Sequence, residues 1–206
     1  LFHGPTLAFK DIAMLLLAAM FERALEEDGA RATIIGATSG DTGAAAIEAF
    51  RGKKNVSVFI LHPRGKITAV QRRMMTTIGD DNVHNIAIEG SFDDCQRIVK
   101  ALFADTNLRR DLGLSGVNSI NWARLAIQIV YYYAAIAQLK RETGQKACSF
   151  SVPTGNFGDA FAGYAAMRIG ATIEKIAVAV NSNDILHRAL TSGDYRPAGT
   201  VPTTSP

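Results

Sequence analysis

Ala32-Thr33-Ile34-Ile35-Gly36-Ala37-Thr38-Ser39-Gly40-Asp41-Thr42-Gly43 is the stretch that decides the fold. Residues 32–37 read as a short buried strand. The segment from Thr38 to Gly43 is a glycine-bearing loop, and residues 43–50 read as a short Ala-rich helix. A strand that feeds a helix through a tight loop is one step of a βαβ crossover, which implies a parallel sheet.

The same step recurs in both directions. Residues 11–27 read as a helix, apolar nearly all round at its start and so expected to be buried, with Asp11 favouring its positive end. Strands are expected at 56–61, 85–89, 147–152 and 176–180, with a weaker one at 114–120. Helices are expected at 68–78, 92–105, 122–143, 160–169 and 184–191. Thr68 and Gln71 have capping-box spacing, and Ser91 is a helix cap. Open parallel sheets bind ligands beyond the carboxyl ends of their strands, so the loops that follow strands are the candidate sites.

Composition narrows the function classes. Of 206 residues, 48% are hydrophobic and 20% charged, enough to bury a core. A formal net charge of +3, scattered along the chain, argues against nucleic acid and suits small anionic ligands. Cys95 and Cys148 lack metal-ligand spacing and read as buried free thiols of a reducing compartment, which places the protein in the cytoplasm with no metal site. The apolar run from Ile12 to Phe21 is too short to span a bilayer, and the first residues do not form a signal peptide. The chain opens without Met and ends on Val201-Pro202-Thr203-Thr204-Ser205-Pro206, which reads as a piece of a longer polypeptide.

Three loops and one lysine carry chemistry. Lys10 lies between Phe9 and the apolar run that follows it. Loss of hydration disfavours an ammonium, and an uncharged amine can attack a carbonyl, as a Schiff-base lysine does. A snorkelling lysine at a helix start is the plainer alternative. In the loop after the first strand, Ser39, Asp41 and Thr42 precede helix-start N–H groups that suit an anion; an ordinary turn with Asp41 or Thr42 as cap is the alternative. Pro153-Thr154-Gly155-Asn156-Phe157-Gly158-Asp159 has the same logic. It lacks the Lys-Ser/Thr pair of a nucleotide-triphosphate loop and the third glycine of a dinucleotide fingerprint, so a monophosphate fits better. Asn121 and Arg124 open the long helix, where Arg124 could contact phosphate or carboxylate in bidentate fashion; a capping Asn and a surface Arg is the alternative. Arg64 and Lys66 could attract an anion or form a solvated turn. One lysine and one phosphate-sized loop together match pyridoxal phosphate.

Several stretches resemble one family in the same order. His3-Gly4-Pro5-Thr6-Leu7-Ala8-Phe9-Lys10-Asp11 resembles the cofactor-lysine segment of the threonine synthases of bacterial and fungal type. Thr38 to Gly43 resembles their substrate loop; Pro63 to Ile67, Asn118 to Asn121 and Gly155 to Asp159 also match. The resemblance implies a pyridoxal-phosphate enzyme of the tryptophan-synthase-β fold type, also called fold type II, with two α/β lobes. Residues 30–120 would form a small lobe carrying the substrate loop; residues 1–29 and 121–206 would belong to the large lobe. It implies that O-phospho-L-homoserine and water become L-threonine and phosphate. Lys10 would bind the cofactor aldehyde and Gly155, Asn156, Phe157, Gly158 and Asp159 its phosphate. Ser39, Asp41 and Thr42 would hold the amino-acid end of the substrate, and Asn121 and Arg124 its phosphate. Many relatives carry Asn at the position of Asp41, and Asp supports the narrower assignment. The resemblance also implies residues before Leu1 and a C-terminal part, which in relatives supplies a hydroxyl to the pyridine nitrogen, in the rest of the polypeptide. A threonine or serine dehydratase with the same cofactor, and a non-catalytic protein that binds a phosphorylated metabolite, are the competing readings.

Overall fold

The computed structural model describes residues 4–38, 40–117, 121–196, 198–199 and 201. The chain divides into two units, Leu1–Asn118 and Ser119–Pro206.

In the first unit, α1 (Lys10–Asp28) leads into β1 (Ala32–Ala37), α2 (Asp41–Phe50), β2 (Val56–Pro63), α3 (Ala69–Thr76), β3 (Val83–Ile88), α4 (Phe92–Ala104), α5 (Thr106–Asp111) and β4 (Leu114–Ser115). The sheet order is β3-β2-β1-β4, and every pairing is parallel. Period-two alternation divides its side chains between two helical layers. Ile34, Val58 and Ile60 pack with Met14 and Ala18 of α1, Ala44 to Ile47 of α2 and Met75 of α3. Ile35, Phe59 and Leu61 pack on the other side with Cys95, Leu102 and Leu108 of α4 and α5. Alanines at 44, 45 and 46 are fully or almost fully buried. Their small size lets α2 sit close to both α1 and the sheet.

Two expectations differ from this arrangement. The helix α1, expected to be buried nearly all round at its start, packs Met14 and Ala18, spaced i and i+4 on one face, into the core of the first unit and leaves Leu15, Leu16 and Met20 exposed. The helix α5 falls in a stretch where no element was expected. Asp105 starts it by accepting from the N–H groups of Asn107 and Leu108, and a cap of this kind needs no apolar periodicity. Asn118, Ser119 and Ile120, the end of the expected weak strand, lie outside the described residues.

In the second unit, α6 (Trp122–Thr143) precedes β5 (Cys148–Pro153), α7 (Gly158–Arg168), β6 (Ile173–Ala179) and α8 (Ile185–Ser192). The strands β5 and β6 pair in parallel. Their side chains Phe150, Val152, Ile173 and Ile176 pack with Tyr132 and Ile136 of α6 and Ala162 and Ala166 of α7. No helix among the described residues is long and apolar enough to cross a membrane.

The α6–α7 contact depends on Gly163, where an added Cβ would lie 2.6 Å from ring atoms of Tyr132. Gly163→Ala is therefore expected to destabilise the folded chain by about 1–3 kcal/mol, the usual cost of overpacking. Denaturant unfolding monitored by circular dichroism measures it.

Candidate active site

The segment before Lys10 is held by a buried carboxylate. Asp11, 1% exposed, accepts from the backbone N–H of Thr6 at 2.8 Å and from the Thr6 hydroxyl at 2.5 Å. A buried charge needs such partners. Leu7 turns through a left-handed backbone, φ 59°, with its N–H on the Gly4 carbonyl. Gly4 is required there, because an added Cβ would collide with the Asp11 side chain at 2.4 Å. Lys10 thus leaves a rigid turn as the first residue of α1.

Lys10 is not simply an amine in an apolar setting. Its Nζ lies 3.4 Å from Asp41 Oδ2 and 4.6 Å from the centre of the Phe9 ring, with the side chain 18% exposed. The ion pair joins the lysine segment to the loop after β1. Gln71 of α3 donates from Nε2 to the other Asp41 oxygen at 2.9 Å.

The loop after β1 is organised from within. The Thr38 hydroxyl accepts from the N–H groups of Gly40 and Gly43, both at 3.0 Å. The Gly43 N–H, one of the helix-start donors expected to suit an anion, is thereby already satisfied. Asp41 is the first residue of α2, with Gly40 as its N-cap, so neither Asp41 nor Thr42 is the cap. Ser39 lies outside the described residues.

In the second unit, the loop after β5 ends on Phe157, the N-cap of α7, in a left-handed backbone with φ 63°. The Thr154 hydroxyl accepts from the Phe157 N–H at 3.0 Å, and the Thr154 N–H bonds the Ala179 carbonyl of β6. Asp159 accepts from the N–H of Ala160, and its carbonyl receives the Tyr132 hydroxyl at 2.7 Å. The first turn of an α-helix offers N–H groups without intrahelical partners, at the positive end of its dipole. Gly155 has open space where a side chain would stand.

Asn121 and Arg124 take different roles. Asn121 caps α6 by accepting from the Ala123 N–H at 3.0 Å. Arg124 is not a surface residue: it is 1% exposed, and burial pushes its guanidinium below its ordinary pKa. Arg64 pairs with Glu89 across an exposed contact. Cys95 and Cys148 are free thiols, and burial raises both above the usual thiol range.

The family model for pyridoxal-phosphate-dependent enzymes matches residues 1–206. The chain belongs to that family. It is 54% identical to a threonine synthase of Pseudomonas aeruginosa over the whole chain, which covers 44% of that protein. A yeast threonine synthase (Saccharomyces cerevisiae) is 48% identical over 99% of the chain and 41% of its own length. The solved structure of a pyridoxal-phosphate-bound threonine synthase from Brucella melitensis superposes with a TM-score of 0.89 at 57% identity, over 99% of the chain and 44% of that protein. The chain therefore spans less than half the length of these relatives. Its two-lobed parallel α/β architecture is that of fold type II.

Residues of this chain fit the family's cofactor. Lys10 offers a largely buried primary amine on a rigid turn, suited to an aldehyde. The start of α7 offers backbone donors and open space at Gly155, suited to a phosphate. The signal that sequence reading missed is Gln71: its capping-box position was legible, but its second contact, to Asp41, links residues 30 apart in the chain.

Tyr132 gives the second unit a pH signature. Burial, followed by the nearby Asp159 carboxylate, pushes its phenol up to about 12 from an ordinary 10. Between those values the unfolded chain has lost the proton that the folded chain retains. Stability is therefore full below pH 10 and falls by about 1.4 kcal/mol per pH unit towards pH 12. Tyr132→Phe is expected to flatten that fall in denaturant unfolding at pH 9 to 12, at the cost of the bond to the Asp159 carbonyl at every pH.

Proposed function

We propose that the protein containing this chain is a threonine synthase, converting O-phospho-L-homoserine and water to L-threonine and phosphate. The observation that carries the reading is the Lys10–Asp41 pair, which joins the two stretches that resemble the cofactor-lysine segment and the substrate loop of threonine synthases. The similarity to named threonine synthases across the whole chain supports it. The two free thiols fit a reducing compartment such as the cytoplasm.

Pyridoxal phosphate, when bound, supplies an electron sink for charge that develops on the substrate carbons. Lys10 Nζ is the group that would bind its aldehyde; Gly155, Asn156, Phe157, Gly158 and Asp159 would line its phosphate. The Lys10 amine would take and return protons at the α and β carbons of the substrate. Asp41, an anion, attracts the substrate ammonium, while Ser39 and Thr42 offer hydroxyls to its carboxylate. Arg124, buried and cationic, suits the substrate phosphate, with Asn121 beside it at the start of α6.

In the full-length protein, Lys10→Ala should remove the visible absorbance of bound cofactor and lower threonine formation at least about a hundredfold. Borohydride reduction of the wild type should fix the cofactor to the peptide that contains Lys10. Survival of both colour and turnover in the variant would show that another residue holds the cofactor. Turnover of threonine or serine in place of phosphohomoserine would favour a dehydratase, and a colourless protein that binds phosphoester without turnover a non-catalytic role.

A further inference from the structure

We infer that Gln71 is a positioning residue for Lys10, acting through Asp41. This rests on Lys10 being the cofactor lysine. The two oxygens of Asp41 are divided between two partners: Oδ2 faces Lys10 Nζ at 3.4 Å and Oδ1 accepts from Gln71 Nε2 at 2.9 Å. A carboxylate at the first position of a helix can rotate about its side-chain torsions, and a second contact, on its other oxygen, fixes the direction in which it faces the amine.

The orientation of the Gln71 carboxamide is settled by its other end. Its Oε1 accepts from the Thr68 hydroxyl at 3.0 Å and from the Thr68 backbone N–H at 3.4 Å. A backbone N–H can only donate, so the oxygen faces Thr68 and the NH2 faces Asp41. The side chain is 8% exposed and lies against Gly40, where an added Cβ would meet Nε2 at 2.2 Å. A glycine at position 40 therefore leaves room for the carboxamide beneath the loop. The capping box that starts α3 and the contact that aims Asp41 are made by one side chain.

The residue type suits the task. A neutral donor orients the carboxylate without competing for its charge, so the ion pair with Lys10 is kept. An Arg or Lys in that place would compete with Lys10, and a Glu would repel Asp41.

The test uses the full-length protein prepared without cofactor and reads the amine itself. Acetic anhydride modifies free amines, and peptide mass spectrometry gives its rate at Lys10 at pH 7. Gln71→Met should speed Lys10 modification about threefold, the scale of a partly exposed ion pair. Asp41→Asn should speed it at least as much, and Gln71→Met added to Asp41→Asn should do nothing more. Thr68→Ala keeps the backbone N–H that orients the carboxamide and should leave the rate unchanged, which separates aiming from helix capping. An unchanged rate in Gln71→Met, an equal factor in both Asp41 backgrounds, or a Thr68→Ala rate matching Gln71→Met would overturn the inference. A second measurement needs no Gln71 variant: Asp41→Asn should move the NMR signals of the Gln71 carboxamide, and unmoved signals would overturn it too. Because neither readout involves turnover, a failed threonine synthase assay and a failed coupling are separate results.

Discussion

The parallel pairing of β1 on both of its edges is the constraint on which the first unit depends. β2 pairs along it from Ala32 to Ala37 and β4 pairs at Thr33 and Ile34. A strand bonded on both sides ends at a fixed point. Thr38, whose N–H bonds the Leu61 carbonyl of β2, extends that point by one residue. Its buried hydroxyl then folds the loop by taking the N–H groups of Gly40 and Gly43. Asp41 is delivered to Lys10 by this sequence of bonds, beginning in the sheet.

The second anchor is electrostatic. Asp11 and Asp41 flank Lys10 in opposite ways. Asp11 is buried, is satisfied by Thr6 and shapes the turn; Asp41 is 39% exposed and faces the amine. A carboxylate that loses both donors when Thr6 is disordered would be a buried unpaired charge, so the turn and the charge sustain one another. The amine gains its fixed origin from the first and its ionic partner from the second.

Much of this was legible in the chain because it is local. The strand–loop–helix rhythm, the two glycine loops, the capping box at Thr68 and the cap at Asn121 each lie within a few residues. The layer in which α1 packs was not legible. An apolar run such as 12–21 has several apolar faces, and periodicity cannot say which one Met14 and Ala18 commit to. The short α5 was hidden because its start is polar, a lone Asp105 cap without an apolar stripe behind it. For Arg124 an anion contact and a plain surface position were both open, because charged side chains are usually exposed, and its burial is a tertiary fact.

The loop after β5 shows the same economy as the loop after β1 with different parts. In the first, a threonine hydroxyl fills the donors at the turn and leaves an acidic residue to face the amine. In the second, the Thr154 hydroxyl takes the single N–H of Phe157 and the Tyr132 hydroxyl holds the Asp159 carbonyl from outside. Holding that carbonyl braces the first turn of α7 from outside, while the Asp159 carboxylate takes the Ala160 N–H of the same turn. Tyr132 can reach it only because position 163, one helical turn later, carries no side chain. A phenol and a glycine on two different helices thus brace the loop that opens α7 through one of its acceptors.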